Sequence, residues 1–88
     1  MNEINYLDVV AENIKRLRGR MTQRDLAKKA KIGKSTVSAI EQGRPIAIQK
    51  LLKIAEALDI HPSDLFLTEK DRVEATYKFK LLMDKFIK

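Results

Sequence analysis

The stretch Met21-Thr22-Gln23-Arg24-Asp25-Leu26-Ala27-Lys28-Lys29-Ala30-Lys31-Ile32-Gly33-Lys34-Ser35-Thr36-Val37-Ser38-Ala39-Ile40-Glu41-Gln42-Gly43 carries two short helical patterns separated by a tight break. Thr22 with Asp25 three residues on is a capping-box signal with Asp in place of Glu. It opens a helix through Ala30 that turns Leu26, Ala27 and Ala30 inward. Ile32-Gly33 interrupts the pattern, and Gly33 is an acceptable N-cap. A second helix runs from about Lys34 to Gln42, with Val37 and Ile40 inward and Gly43 as its terminator. Two short helices joined by three or four residues form a helix-turn-helix arrangement. There the second helix projects, so that its first residues can reach base edges in a major groove.

Outward from this core the apolar spacing stays helical. Leu7, Val10, Ala11, Ile14 and Leu17 make a preceding stripe, with Asn5 as its start and Gly19 as its stop. Beyond Pro45, residues Ile48, Leu51, Leu52, Ala55 and Leu58 make a fourth stripe. Asp59 stands at its end, where Gly is common. His61 then caps a short fifth helix that starts at Pro62 and runs through Phe66. No segment alternates with period two over strand length, so the chain reads as all-α: a five-helix body over 1–67 and an additional C-terminal helix over 68–88. In that last helix Thr68 with Asp71 marks a start. Ala75, Phe79, Leu82, Met83 and Phe86 form a stripe with Val73 and Tyr77 beside it. A lone helix does not keep such a stripe in water. Tyr77, Phe79, Leu82, Met83 and Phe86 are therefore expected to pair with a second copy, with packing on the body as the alternative.

Composition narrows the function. The chain has 88 residues and a net charge of +6. Arg20, Arg24, Lys28, Lys29, Lys31, Lys34 and Arg44 face only Asp25 and Glu41 within 20–44, so the excess lies on the two-helix segment and points to a polyanionic partner. There is no cysteine and a single histidine, His61, so thiolate and histidine-cluster metal sites and paired-histidine catalysis are excluded. No nucleophile–base pair or phosphate-cradling glycine loop is present. No enzyme, cofactor or metal is expected. The longest uncharged run, Ser35 to Ile40, is too short for a membrane span. The expectation is a cytoplasmic protein.

Three blocks with consistent spacing, Met21 to Ala27, Ser35 to Gly43 and Leu51 to Leu58, resemble the phage lambda repressor and Cro group. The resemblance spans Leu7 to Phe66. It implies a five-helix domain that regulates transcription by binding double-stranded operator DNA, usually as a homodimer on a near-palindrome. Position by position it implies base contacts from Lys34, Ser35, Thr36, Ser38 and Ala39, with the Thr36 methyl able to touch thymine and Ala39 offering only an apolar contact. It implies phosphate contacts from Gln23, Arg24, Gln42 and Arg44. Gln23 would also support the first residue of the recognition helix. Arg16 and Glu41 match a pair that bridges helices one and three in relatives. Many relatives have Gly where Lys31 stands; a positive φ there would cost about 1–2 kcal/mol. A repressor is the leading reading. The alternative is an antitoxin-type interaction module whose C-terminal helix binds a partner protein.

Overall fold

The computed structural model describes residues 3–86, so the outermost residues of the two expected units, 1–2 and 87–88, lie outside the described residues. The chain is all-helical: α1 (Tyr6–Arg18), α2 (Gln23–Ala30), α3 (Lys34–Glu41), α4 (Ile48–Ala57), a 3-10 helix (Pro62–Phe66) and α5 (Glu69–Phe86). The fifth helix of the body is thus a single 3-10 segment. Pro62 has no N–H to donate, and Asp64 N donates to His61 O at 2.9 Å, three residues back.

Local signals place each boundary. Asn5 caps α1 by accepting from Leu7 N at 3.0 Å. The capping box of α2 closes both ways: Asp25 N donates to Thr22 Oγ1 at 3.0 Å, and Thr22 N to Asp25 Oδ2 at 3.3 Å. Lys31 ends α2 in the left-handed region, with φ 59°. There Lys31 N donates to Lys28 O and Ile32 N to Ala27 O, which satisfies the last carbonyls of the helix. Asp59 takes the same conformation after α4, at φ 56°. His61 caps the 3-10 helix by accepting from Ser63 N at 3.1 Å.

Gly43 follows α3 at φ 78°, and a Cβ on it would stand 2.8 Å from Asp8 Oδ1. We expect Gly43→Ala to lower stability by about 1–2 kcal/mol, because an L-residue is strained at that φ. Urea unfolding checks this, and an unchanged midpoint would contradict it.

The core is one cluster. Ile14, Leu26, Val37, Ile40, Ile54 and Leu65 are its largest fully buried side chains. They come from α1 to α4 and the 3-10 helix: α1 packs on α3 and α4 on α2, and the 3-10 helix packs on α1 and α4. At the base of the cluster lies Asn13, only 2% exposed. Its amide donates to Leu65 O at 2.7 Å and Leu67 O at 2.9 Å, tying α1 to the end of the 3-10 helix.

No residue of α5 is buried. Thr68 and Asp71 form a second capping box at its start, and the bonds from the Thr68 backbone and hydroxyl hold the Asp71 carboxyl below the usual carboxylate range. The radius of gyration is 15.2 Å, against about 12 Å for a compact domain of this length, because α5 stands away from the body. At about 100° per residue the apolar residues of α5 occupy two sides rather than one stripe. Ala75, Phe79, Leu82, Met83 and Phe86 share the side of Arg72. Val73, Tyr77 and Leu81 lie on another, so Val73 and Tyr77 are not beside the stripe as the sequence spacing suggests.

Candidate nucleic-acid interface

Val37 and Ile40 are buried and fix α3 against α1 and α2, which leaves its first turn outward. Lys34 and Ser35 are exposed there, and Thr36, Ser38 and Ala39 are half-buried along the same helix. A shallow recess of about 470 Å³ opens between the starts of α2 and α3 and is lined by Arg18, Thr22, Gln23, Arg24 and Lys34. Three side chains singled out from sequence, Gln23, Arg24 and Lys34, therefore converge on one concave, basic surface. Gln42 Nε2 donates to Ser38 Oγ at 3.2 Å. That bond occupies an acceptor position of the hydroxyl and leaves its hydrogen free to donate outward. Arg44 is exposed and lies farther off, beside Ile4, Tyr6 and Ile46 at the start of α1.

The expected Arg16–Glu41 pair is replaced by another. Arg18 holds Glu41: Nε donates to Oε2 at 2.8 Å and Nη2 to Oε1 at 3.1 Å, while Nη1 donates to Met21 O at 2.8 Å. Helix geometry gives the reason. Arg18 lies four residues beyond Ile14, which is fully buried on the face that meets α3, whereas Arg16 is rotated away to the exposed side. Arg16 instead reaches Asn13 Oδ1 at 3.4 Å. The hydrogen bond to Glu41 raises the pKa of Arg18 above its ordinary value, so the guanidinium stays charged at any ordinary pH.

Gln23 also differs from expectation. Its Nε2 donates to Glu41 Oε1 at 3.1 Å, so it is anchored to the end of α3 rather than to its first residue. Glu41, 6% exposed, thus receives donors from α1 and α2 and locks both to α3. Arg18 and Asn13 were not singled out from sequence. Each carried a signal: Arg18 sits at i+4 from a core residue, and Asn13 is a polar residue on the apolar face shared by Val10, Ile14 and Leu17.

Among the described residues no cluster of His, Cys, Asp and Glu could hold a metal ion, and no helix is long and apolar enough to cross a membrane.

A rigid scaffold that presents an outward, basic two-helix unit is the form of a DNA-reading module. A helix-turn-helix family model matches residues 14–65. The chain belongs to the lambda repressor/Cro-like helix-turn-helix family, and it is a DNA-binding transcription regulator, in a family of non-enzymatic proteins. Among solved structures, it is similar to a hypothetical transcription factor, NHTF, from Neisseria: 29% identity, TM-score 0.74, covering 80% of this chain and 84% of that one. It is also similar to the restriction-modification controller protein C.AhdI from Aeromonas hydrophila: 33% identity, TM-score 0.64, covering 68% of this chain and 96% of that one. No curated protein matches the chain.

Proposed function

We propose that this protein is a cytoplasmic repressor that binds a near-palindromic operator as a homodimer, with α3 in the major groove. The observation that carries the reading is the exposed first turn of α3 beside the basic recess, on a helix whose other face is fixed in the core. Lys34 is placed to donate to guanine O6 or N7, and Ser35 and Ser38 to donate or accept at base edges. Thr36 and Ala39 offer methyl groups. Arg24 and Gln42 are exposed on either side and suit phosphate contacts, with Gln23 and Arg44 at the margins.

Surface area supports the dimer. The chain exposes 6760 Å², about 1,500 Å² more than the roughly 5,300 Å² of a compact monomer of its mass. A stable interface needs only about 800 Å² per partner. Phe79, Leu82 and Phe86 are 60%, 50% and 76% exposed. Charge favours an antiparallel arrangement of two α5 helices: Glu69, Asp71 and Glu74 against Lys70 and Arg72 leave the first half at −1, while Lys78, Lys80 and Lys85 against Asp84 leave the second at +2. Such a pair is two-fold symmetric, as binding to half-sites one DNA turn, about 34 Å, apart requires.

Selection of binding sites from random DNA tests the reading. A two-fold symmetric consensus is expected. Lys34→Ala and Ser35→Ala should each relax one position of it by about 1–3 kcal/mol. Equal weakening on all sequences would remove these residues as readers, and no preference among duplexes would remove the whole reading.

A second reading, an antitoxin-type module with a protein partner, draws on one observation. An antiparallel pair covers one side of α5 and leaves Val73, Tyr77 and Leu81 outward, at 61%, 62% and 47% exposure. Light scattering on the pure protein separates the two: a stable dimer supports the first reading, a monomer the second.

A further inference from the structure

Among the described residues, apart from the capping box with Thr68 at its start, α5 makes side-chain hydrogen bonds to the rest of the chain through Arg72 alone. Its Nη1 donates to Asn13 Oδ1 at 2.8 Å and to Leu67 O at 3.2 Å. The acceptor is not a loose surface group. Asn13 is buried, and its own amide is committed to Leu65 O and Leu67 O, so its oxygen is aimed outward at Arg72. Arg72 is half-buried, unlike its neighbours on α5. The capping box of Thr68 and Asp71 shapes the first turn of α5 locally, but it does not tie the helix to the body. Only Leu67 and Thr68 separate α5 from the 3-10 helix.

The lever is long. The 18 residues of α5 span about 27 Å. A tilt of about 10° at the base moves the far end by about 5 Å, which exceeds the roughly 3.4 Å rise of one base pair. A small change in that angle therefore alters the distance between paired DNA-reading bodies by more than a base-pair step.

We propose that Arg72, seated on Asn13, is the positioning residue that sets half-site spacing: it holds α5 at one angle to α3 and so fixes how far apart two copies place their recognition helices. The inference rests on the α5-paired dimer argued above. It adds a specificity determinant that lies outside the residues assigned to DNA contact.

The test uses the full chain and duplexes that carry two selected half-sites with the spacer varied in single base-pair steps. Wild type should prefer one spacer. Arg72→Ala should remain a dimer by light scattering and keep the same half-site consensus. Its discrimination between the best spacer and its neighbours should fall about tenfold, the scale of one hydrogen bond to a charged group. Arg72→Lys, which keeps a cation for Asn13 but not the fork, should fall between. A uniform loss at every spacer marks a merely structural role and overturns the proposal, as does unchanged discrimination. Should Arg72→Ala not fold, Arg72→Lys at a near-native melting temperature carries the same alternatives. A wild-type protein with no spacer preference overturns the α5-paired dimer itself, and so is told apart from failure of Arg72 alone.

Discussion

Glu41→Ala is expected to destabilise the domain by about 3 kcal/mol, because it strands Arg18. The wild-type carboxylate takes three donors, two from Arg18 and one from Gln23. Without it the Arg18 guanidinium, whose side chain is 23% exposed, keeps only Met21 O. Breaking a buried pair by removing one member costs about 3–5 kcal/mol, and the partial access of Arg18 to water places this one at the lower end. For a chain of this length the loss amounts to a fall in Tm on the order of 10–20 °C. Arg16→Ala is the control: as an exposed residue it should change stability by less than about 0.5 kcal/mol. Equal losses in the two variants would restore the pairing that the sequence resemblance implies. DNA binding by Glu41→Ala should weaken without a change of base preference, since Glu41 sets the position of α3 and lies behind the reading turn. A shifted preference at an unchanged Tm would contradict that role.

Asn13→Ala should cost about 3 kcal/mol, for a different reason. The substitution leaves Leu65 O and Leu67 O without the amide that now serves them, in a site where Leu65 itself is fully buried. It also deprives Arg72 of its side-chain acceptor. Urea unfolding measures the loss. Amide exchange should locate it at the 3-10 helix and the start of α5, with α2 and α3 still protected in proportion to global stability. A change below about 0.5 kcal/mol would show that water replaces the amide and that Asn13 does not organise this end of the fold.

Much of this architecture can be read from short-range chemistry. The two helices of the reading unit are marked by Thr22 with Asp25, by the inward spacing of Leu26, Ala27, Val37 and Ile40, and by Gly43. Each signal acts within one or two turns, and each boundary falls within a residue of its expected place: α3 ends at Glu41, with Gln42 as its cap. The exposure of Lys34 and Ser35 follows from the same spacing. What was not legible depends on how helices face one another. Arg16 and Arg18 differ by two positions in sequence but by more than half a turn around α1, and only the packing of Ile14 against α3 decides which of them meets Glu41. Asn13 is similar. Its polarity on an apolar face was visible, but its partners, the carbonyls of Leu65 and Leu67, are more than fifty residues away. Lys31 shows the opposite case. It accepts the left-handed conformation that Gly takes more cheaply, because two backbone hydrogen bonds and the packing of the adjoining helices hold the turn.

The hydrophobic cluster is complete at Leu65 and Phe66 and takes nothing from α5. Folding and assembly are thereby uncoupled: on the proposed dimer, dilution yields intact single copies, not denatured chains. Occupancy of an operator would then rise with the square of intracellular abundance at low levels, so a modest change in synthesis or turnover becomes a steeper change in transcriptional output.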